Sequence, residues 1–384
     1  MTRPGLLLTS FDIKQCLSQL WHAGVRAVSG QHVVASALKS DPPFEPDLVL
    51  AVGKAASSMC TGALSCHPGV GRVIVVTKYG HADPSLLNDP NVKVIEAGHP
   101  IPDENSLRAG NLILDVIRAQ KKDAKLLFLI SGGASALAEV LPGGLELTAW
   151  QQKTQDMIAS GLSIDAMNTE RKNQSLIKDG KLLELFGGSE LRVYAISDVE
   201  GDDIAVIGSG LGNGVHAHCP ITTRIVGSNA IACARAAEAA RAAGLPIRCN
   251  EESLYEDVFE LAPRIAHSLC HGAPGVYIWG GEPTIRLPPN PGDGGRNQSL
   301  ALAIAKGIAG TNNINVLVAG TDGTDGPTDA AGAMVDGNTF DDPNTAERAL
   351  LNADAGSYLR ARGNLFITGP TSTNVMDMLI AYVQ

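Results

Sequence analysis

Short apolar runs recur along this chain, and each runs into a Gly, Ser or Thr. They are DLVLAVG (47–53), RVIVVT (72–77), KVIEAG (93–98), KLLFLISGG (125–133), LRVYAISD (191–198), TRIVGS (223–228), GVYIWGG (275–281), NVLVAGTDG (315–323) and NLFITGP (364–370). Val, Ile and Leu fill them without polar alternation, which predicts strands buried on both faces. Between them the apolar spacing changes to three and four. ENSLRAGNLILDVIRAQ (104–120), NAIACARAAEAARAAG (229–244) and NQSLALAIAKGIAG (297–310) read as helices, the second stopped by Gly244. Alternating strands and helices predict an α/β fold with mainly parallel sheets. In such sheets ligands sit beyond the carboxyl ends of the strands, so the loops that follow the runs are where chemistry is expected.

A chain of 384 residues suggests two domains. The boundary is expected near 245, after the Ala-rich helix, giving domains 1–245 and 246–384. The sequence leaves open whether the last strand and helix return to the first. Aromatic residues make up only 4%, so the core is expected to be aliphatic. Net charge is −10 and no Lys/Arg stripe is present, which argues against a nucleic-acid partner. Seven cysteines without a Cys-x-x-Cys pair predict neither a disulfide framework nor a zinc site. The opening MTRPGLLLTSFDIK is too short in apolar residues for a signal peptide, and no run approaches membrane-helix length. A cytoplasmic enzyme is expected, with no membrane partner; a homo-oligomer stays open.

Several strand-end loops carry chemistry-bearing residues. Ser131, Gly132, Gly133, Ala134 and Ser135 follow a strand and open a short helix, a place where small residues let amides approach an anion. An ordinary tight turn would look the same. Lys54 stands at a helix start, where the macrodipole opposes a cation unless an anion joins it. Arg296 occupies a similar position before a helix, as an anion clamp or as the partner of a nearby Asp. Asp198 and Glu282 each follow a strand. The stretch AGTDGTDGPTD (319–329) gathers Asp322, Asp325 and Asp329 on one Gly-rich turn. Such carboxylates suit Mg²⁺, a general base, or plain turn formation.

GSGLGNG (208–214) has Asn213 where a dinucleotide fingerprint needs Gly, and no clear helix follows, so it reads as a loop. It and 291–295 are expected to be mobile. ITGPTSTNV (367–375) reads as a helix start whose hydroxyls serve as caps. RKNQSL (171–176) faintly echoes GRNQSL (295–300). One lysine, one arginine, an anion loop and several carboxylates are the parts of phosphoryl transfer.

SGGASAL, GGEPT, GGRNQ, AGTDGTDGPTDAAGA and ITGPTSTNV, in this order, resemble the class II glycerate kinases. That resemblance implies a Rossmann-like N-terminal domain, a C-terminal MOFRL domain and an active site in the cleft between them. It implies phosphorylation of D-glycerate at O2 with ATP and Mg²⁺, giving 2-phosphoglycerate, within carbohydrate acid metabolism. It makes Lys54 the family's essential lysine, Arg296 its active-site arginine and 131–135 its nucleotide loop. Asp198, Glu282 and Asp322 match acidic strand-end positions: Asp198 and Asp322 are expected in catalysis, Glu282 in nucleotide binding, Asp322 and Asp325 at the metal. The segment RKNQSLIKDGKLLELF departs from the family's KHLSAIKGGRLA, though Lys178 and Lys181 keep its basic character. An NAD(P)H-dependent hydroxypyruvate reductase and a non-catalytic sugar-acid binding protein are the alternatives.

Overall fold

The computed structural model describes residues 10–160, 164–215 and 217–384. The expectation that the first residues hold no signal peptide lies largely outside them. The chain forms two compact units. One holds Val28–Ser228 with Ser372–Val375, and the other holds the helix Ser10–Ala27, Asn229–Thr371 and Met376–Gln384.

The first unit is built on six strands: β1 (Leu48–Val52), β2 (Arg72–Lys78), β3 (Val92–Ala97), β4 (Lys125–Ile130), β5 (Glu190–Ile196) and β6 (Ile221–Gly227). Their order is β3-β2-β1-β4-β5-β6, and every pairing is parallel. Parallel neighbours require helices on the sheet faces, and the aliphatic runs supply the apolar surface to hold them. Leu50, Val52, Ile74, Phe128, Ile130 and Val193 form one such face, packed with Ile113 and Ile117 of the helix Glu104–Arg118. Strand order reverses between β1 and β4, the switch point where doubly wound sheets bind ligands.

The second unit adds β7 (Ile247–Glu252), β8 (Gly275–Gly281), β9 (Ile314–Gly320), β10 (Gly332–Asp336), β11 (Leu365–Phe366) and β12 (Asp377–Val383). Their order is β11-β10-β9-β12-β8-β7. Strands β7, β8, β9 and β11 run one way, while β12 and β10 run against them. Insertion of β12 between β8 and β9, and of β10 between β9 and β11, therefore makes most pairings here antiparallel. The helices Val258–Cys270, Arg296–Gly307 and Pro343–Leu351 pack on one face through Leu261, Ile265, Leu300, Ile304 and Ala346.

The first unit's main segment ends at Ser228, and the Ala-rich helix Asn229–Ala242 belongs to the second unit. Asn229 explains this. Its side chain donates to the Asp377 carbonyl at 2.9 Å, pinning the helix to β12. Gly280 makes the close approach possible, because a Cβ there would lie 1.7 Å from Asn229 Oδ1. No helix follows Asn374, contrary to the capping expectation. The chain enters β12, and Thr373 Oγ1 donates instead to the Val28 carbonyl at 2.8 Å. Nor is 208–212 an open loop: its residues are buried, and Gly208, Ser209 and Gly210 have positive φ. The RKNQSL echo joins unlike places, since 171–174 ends one helix and 296–300 begins another.

Candidate functional site

In the first unit the turns after β1 and β4 are stitched together at the switch point. The Lys54 amide donates to the Gly132 carbonyl at 2.9 Å, and the Ala55 amide donates to Ser131 Oγ at 3.0 Å. The Ser131 hydroxyl thus serves the helix Ala56–Cys66, whose N-cap Ala55 has no side-chain acceptor of its own. Ser135 Oγ lies 2.7 Å from Ser209 Oγ. Both loop hydroxyls are engaged inside the protein, so anion binding by this loop falls to the amides of Gly132 and Gly133, which meet no acceptor among the described residues. The helix that follows, Ala134–Leu137, is a single turn and adds little dipole.

The acidic and basic groups around this turn are close. A Cβ on Gly132 would lie 1.8 Å from Asp198 Oδ2, so the Asp198 carboxylate rests on the glycine. Burial pushes the Asp198 carboxyl above its ordinary range, against the opposing pull of Lys54. Among the described residues, no carboxylate pairs with Lys54 within ion-pair distance. At Gly133, φ is +83°, and a Cβ would lie 3.1 Å from both His99 Nε2 and Lys54 Cγ. Burial, with Lys54, Lys78, Arg171 and His81 nearby, lowers His99 to about 3, so its ring is neutral. His99 escaped the sequence reading; its only signal was a lone His just after Gly98, the residue that follows β3.

In the second unit Arg296 opens its helix between two acids. Its Nε donates to Asp377 Oδ2 at 2.6 Å, and Nη1 lies 2.9 Å from Glu282 Oε1. Burial alone would lower the arginine's pKa, but Asp377, Glu282 and Asp325 together raise it. Asp377 is almost fully buried and also accepts Asn297 Nδ2 at 2.9 Å. It too was missed, being a single carboxylate at the head of an apolar run. The Asp partner weighed for Arg296 therefore exists, and roughly a third of the arginine side chain still reaches solvent (35%).

Asp325 has a structural role. Its two oxygens accept the amides of Asn297 and Gln298 at 3.0 and 2.8 Å, capping the helix Arg296–Gly307 in place of Gly295. The carboxylate thereby serves as the cap of this helix terminus. Gly295 must stay small, because a Cβ would lie 2.2 Å from Asp325 Oδ1. Asp322 differs: Oδ1 accepts the Thr324 amide and hydroxyl, each at 3.0 Å, and the residue is only partly buried. Asp329 is exposed and paired with Arg360. Among the described residues no group of three His, Cys, Asp or Glu converges on a metal position.

Burial raises Asp325 to about 7 from 3.8, against the two amides it caps. The folded state then holds the proton more tightly than the unfolded one. The stabilisation is complete below about 3.8 and is lost as pH rises through 7. The stability advantage of the native protein over Asp325→Asn is therefore expected to shrink between pH 5 and 8. Urea melts across that range test this; a constant difference contradicts it.

A doubly wound sheet whose switch point carries a glycine turn and a lysine with no ion-pair partner among the described residues has the layout of a phosphate-handling α/β enzyme. The family described as a domain of unknown function, DUF4147, matches residues 16–232, and the MOFRL family matches 275–377. The D-glycerate 2-kinase of Thermotoga maritima is 32% identical, covering 97% of this chain and 99% of its own. A protein of Agrobacterium vitis that carries the provisional name of a hydroxypyruvate reductase is 32% identical over 95% of this chain and 93% of its own. The crystal structure of glycerate kinase from Thermotoga maritima superposes with a TM-score of 0.88 at 30% identity, covering 97% of this chain and 100% of that one. The chain belongs to this two-domain DUF4147–MOFRL family of glycerate kinases, and it is an enzyme of the kinase class.

Proposed function

We propose that the protein transfers the γ-phosphoryl group of ATP to O2 of D-glycerate, with Mg²⁺, giving 2-phosphoglycerate and ADP. The observation that carries this reading is Lys54, without an ion-pair partner among the described residues, beside the Gly132–Gly133 turn at the switch point, in a chain similar over 97% of its length to a D-glycerate 2-kinase.

The residues present fit a nucleotide phosphate and a divalent cation. Among the described residues, the Gly132 and Gly133 amides meet no acceptor, Lys54 has no carboxylate within ion-pair distance, and only Oδ1 of the Asp322 carboxylate accepts a hydrogen bond. Lys54 and the two amides would hold phosphate oxygens, and Asp322 would hold Mg²⁺. The bound metal would neutralise charge on the nucleotide phosphates. Lys54 binds and stabilises the negative charge that grows in phosphoryl transfer. Arg296, aimed by Asp377 and Glu282, binds the glycerate carboxylate, where a planar fork suits two oxygens. Asp198, with its raised carboxyl pKa, accepts or orients the proton of the C2 hydroxyl.

One observation favours hydroxypyruvate reduction as a second reading: the strand order of the first unit is also that of dinucleotide-binding sheets. Against it, the turn after β1 reads GKAAS and carries no Gly-x-Gly-x-x-Gly. Parallel assays decide between them. ADP release from ATP, Mg²⁺ and D-glycerate is expected, without oxidation of NADH or NADPH by hydroxypyruvate. Reduced-nicotinamide consumption without ADP release reverses the assignment.

A further inference from the structure

The helix Ile164–Gln174 has no part in the roles assigned above, yet it is tied to the turn after β4. The Ser209 hydroxyl donates to Asn168 Oδ1 at 2.9 Å, and Ser209 in turn meets Ser135 at 2.7 Å. Ser209 has a φ of +55°, in the left-handed region a non-glycine residue seldom adopts, and its hydroxyl bridges the two elements. Arg171 lies three residues beyond Asn168, on the same helix face. The hydrogen-bond chain that fixes Asn168 therefore also carries Arg171 toward this turn.

Arg171 is partly buried, and no carboxylate pairs with it among the described residues. The acid whose charge reaches it, Glu139, is already held by Lys178 and Ser175. Burial depresses the guanidinium pKa, so the charge sits there at a cost. Its neighbourhood is also cationic: Arg171, Lys54 and Lys78 all act on His99. The His99 ring and the Lys54 stem both border Gly133. In an acidic chain, positive groups gathered at a strand-end turn with no ion-pair partner among the described residues are suited to an incoming anion.

We propose that Arg171, with His99 beside it, binds a substrate oxyanion next to Lys54. The chemistry shared by the two sources is a planar or tetrahedral set of oxygens: the carboxylate of a small hydroxy acid, or a phosphate of the nucleotide. The identity of the source rests on the kinase reading, whereas the anion-binding role of Arg171 does not.

The test is calorimetric titration of the full chain with D-glycerate, with ADP and with inorganic phosphate. Arg171→Met is expected to weaken either D-glycerate or ADP roughly tenfold or more, on the scale of a lost charge-assisted pair, leaving the other within about twofold. Loss for glycerate assigns the carboxylate, and loss for ADP assigns the phosphate. Arg171→Lys keeps the charge but not the fork, so it is expected to recover part of the affinity; it also stands in if the Met variant fails to fold. Unchanged affinities in the folded variants overturn the proposal. If the native protein binds neither D-glycerate nor ADP, the kinase reading fails on its own. Phosphate binding that Arg171→Met abolishes would then uphold the proposal, and absence of phosphate binding would overturn it.

Discussion

Lys54→Ala is expected to lower kcat/KM for D-glycerate by about 100-fold or more, the scale of a removed charge-stabilising group. Melting temperature should change little, because no ion pair among the described residues depends on Lys54. The Lys54 amide, which donates to the Gly132 carbonyl at 2.9 Å, survives the substitution, so the turn keeps its shape. Arg296→Ala should cost a similar factor, but for mixed reasons. It leaves Asp377 buried with Asn297 as its remaining side-chain donor, so both stability and turnover fall. Lys54 is therefore the cleaner probe. Near-native turnover in a folded Lys54→Ala variant would remove this lysine from the reaction.

Glu139→Ala is expected to give the largest loss of stability. Glu139 and Lys178 form an ion pair whose side chains are 1% and 0% exposed, and Glu139 also accepts Ser175 Oγ. Burial lowers the Lys178 pKa, and Glu139 alone opposes it while Arg171 and Lys181 add to the lowering. Removing Glu139 strands a buried ammonium, which costs about 3–5 kcal/mol. For a domain of this size that is a fall of roughly 6–20 °C in Tm. The pair Glu139→Leu with Lys178→Met should restore much of it, since two apolar groups need no partners. Calorimetry on the three proteins checks this; a double variant no more stable than Glu139→Ala would contradict it. The basic character of Lys178 and Lys181 is thus structural. Lys178 neutralises Glu139, and Lys181 donates to the carbonyls of Lys172 and Ser175.

What was legible in the sequence follows from burial. Strands hidden on both faces, such as Leu48–Val52 and Lys125–Ile130, need unbroken aliphatic runs, and those runs stand out. The edge strand Ile247–Glu252 is largely exposed and reads as a polar segment, so its sequence gives no such signal. The reversal of β12 is set by partners distant in the chain, Gly275–Gly281 and Ile314–Gly320, which no local pattern encodes. The same holds for the site. Lys54, Gly132 and Arg296 announce themselves by sitting after strands or at helix mouths. His99 and Asp377 acquire meaning only from what they touch. Asp325 is a converse case: among glycines it stands out as a loop carboxylate, and its capping role appears only once the uncapped helix beside it is seen.

The central claim is best tested by phosphorus NMR of the purified protein with ATP, Mg²⁺ and D-glycerate, which reports turnover and the position of the new ester together. The expected spectrum shows ADP and 2-phosphoglycerate growing at equal rates. Growth of 3-phosphoglycerate would contradict the assignment of O2. No phosphorylated product, beside a working control kinase, would contradict the kinase account itself.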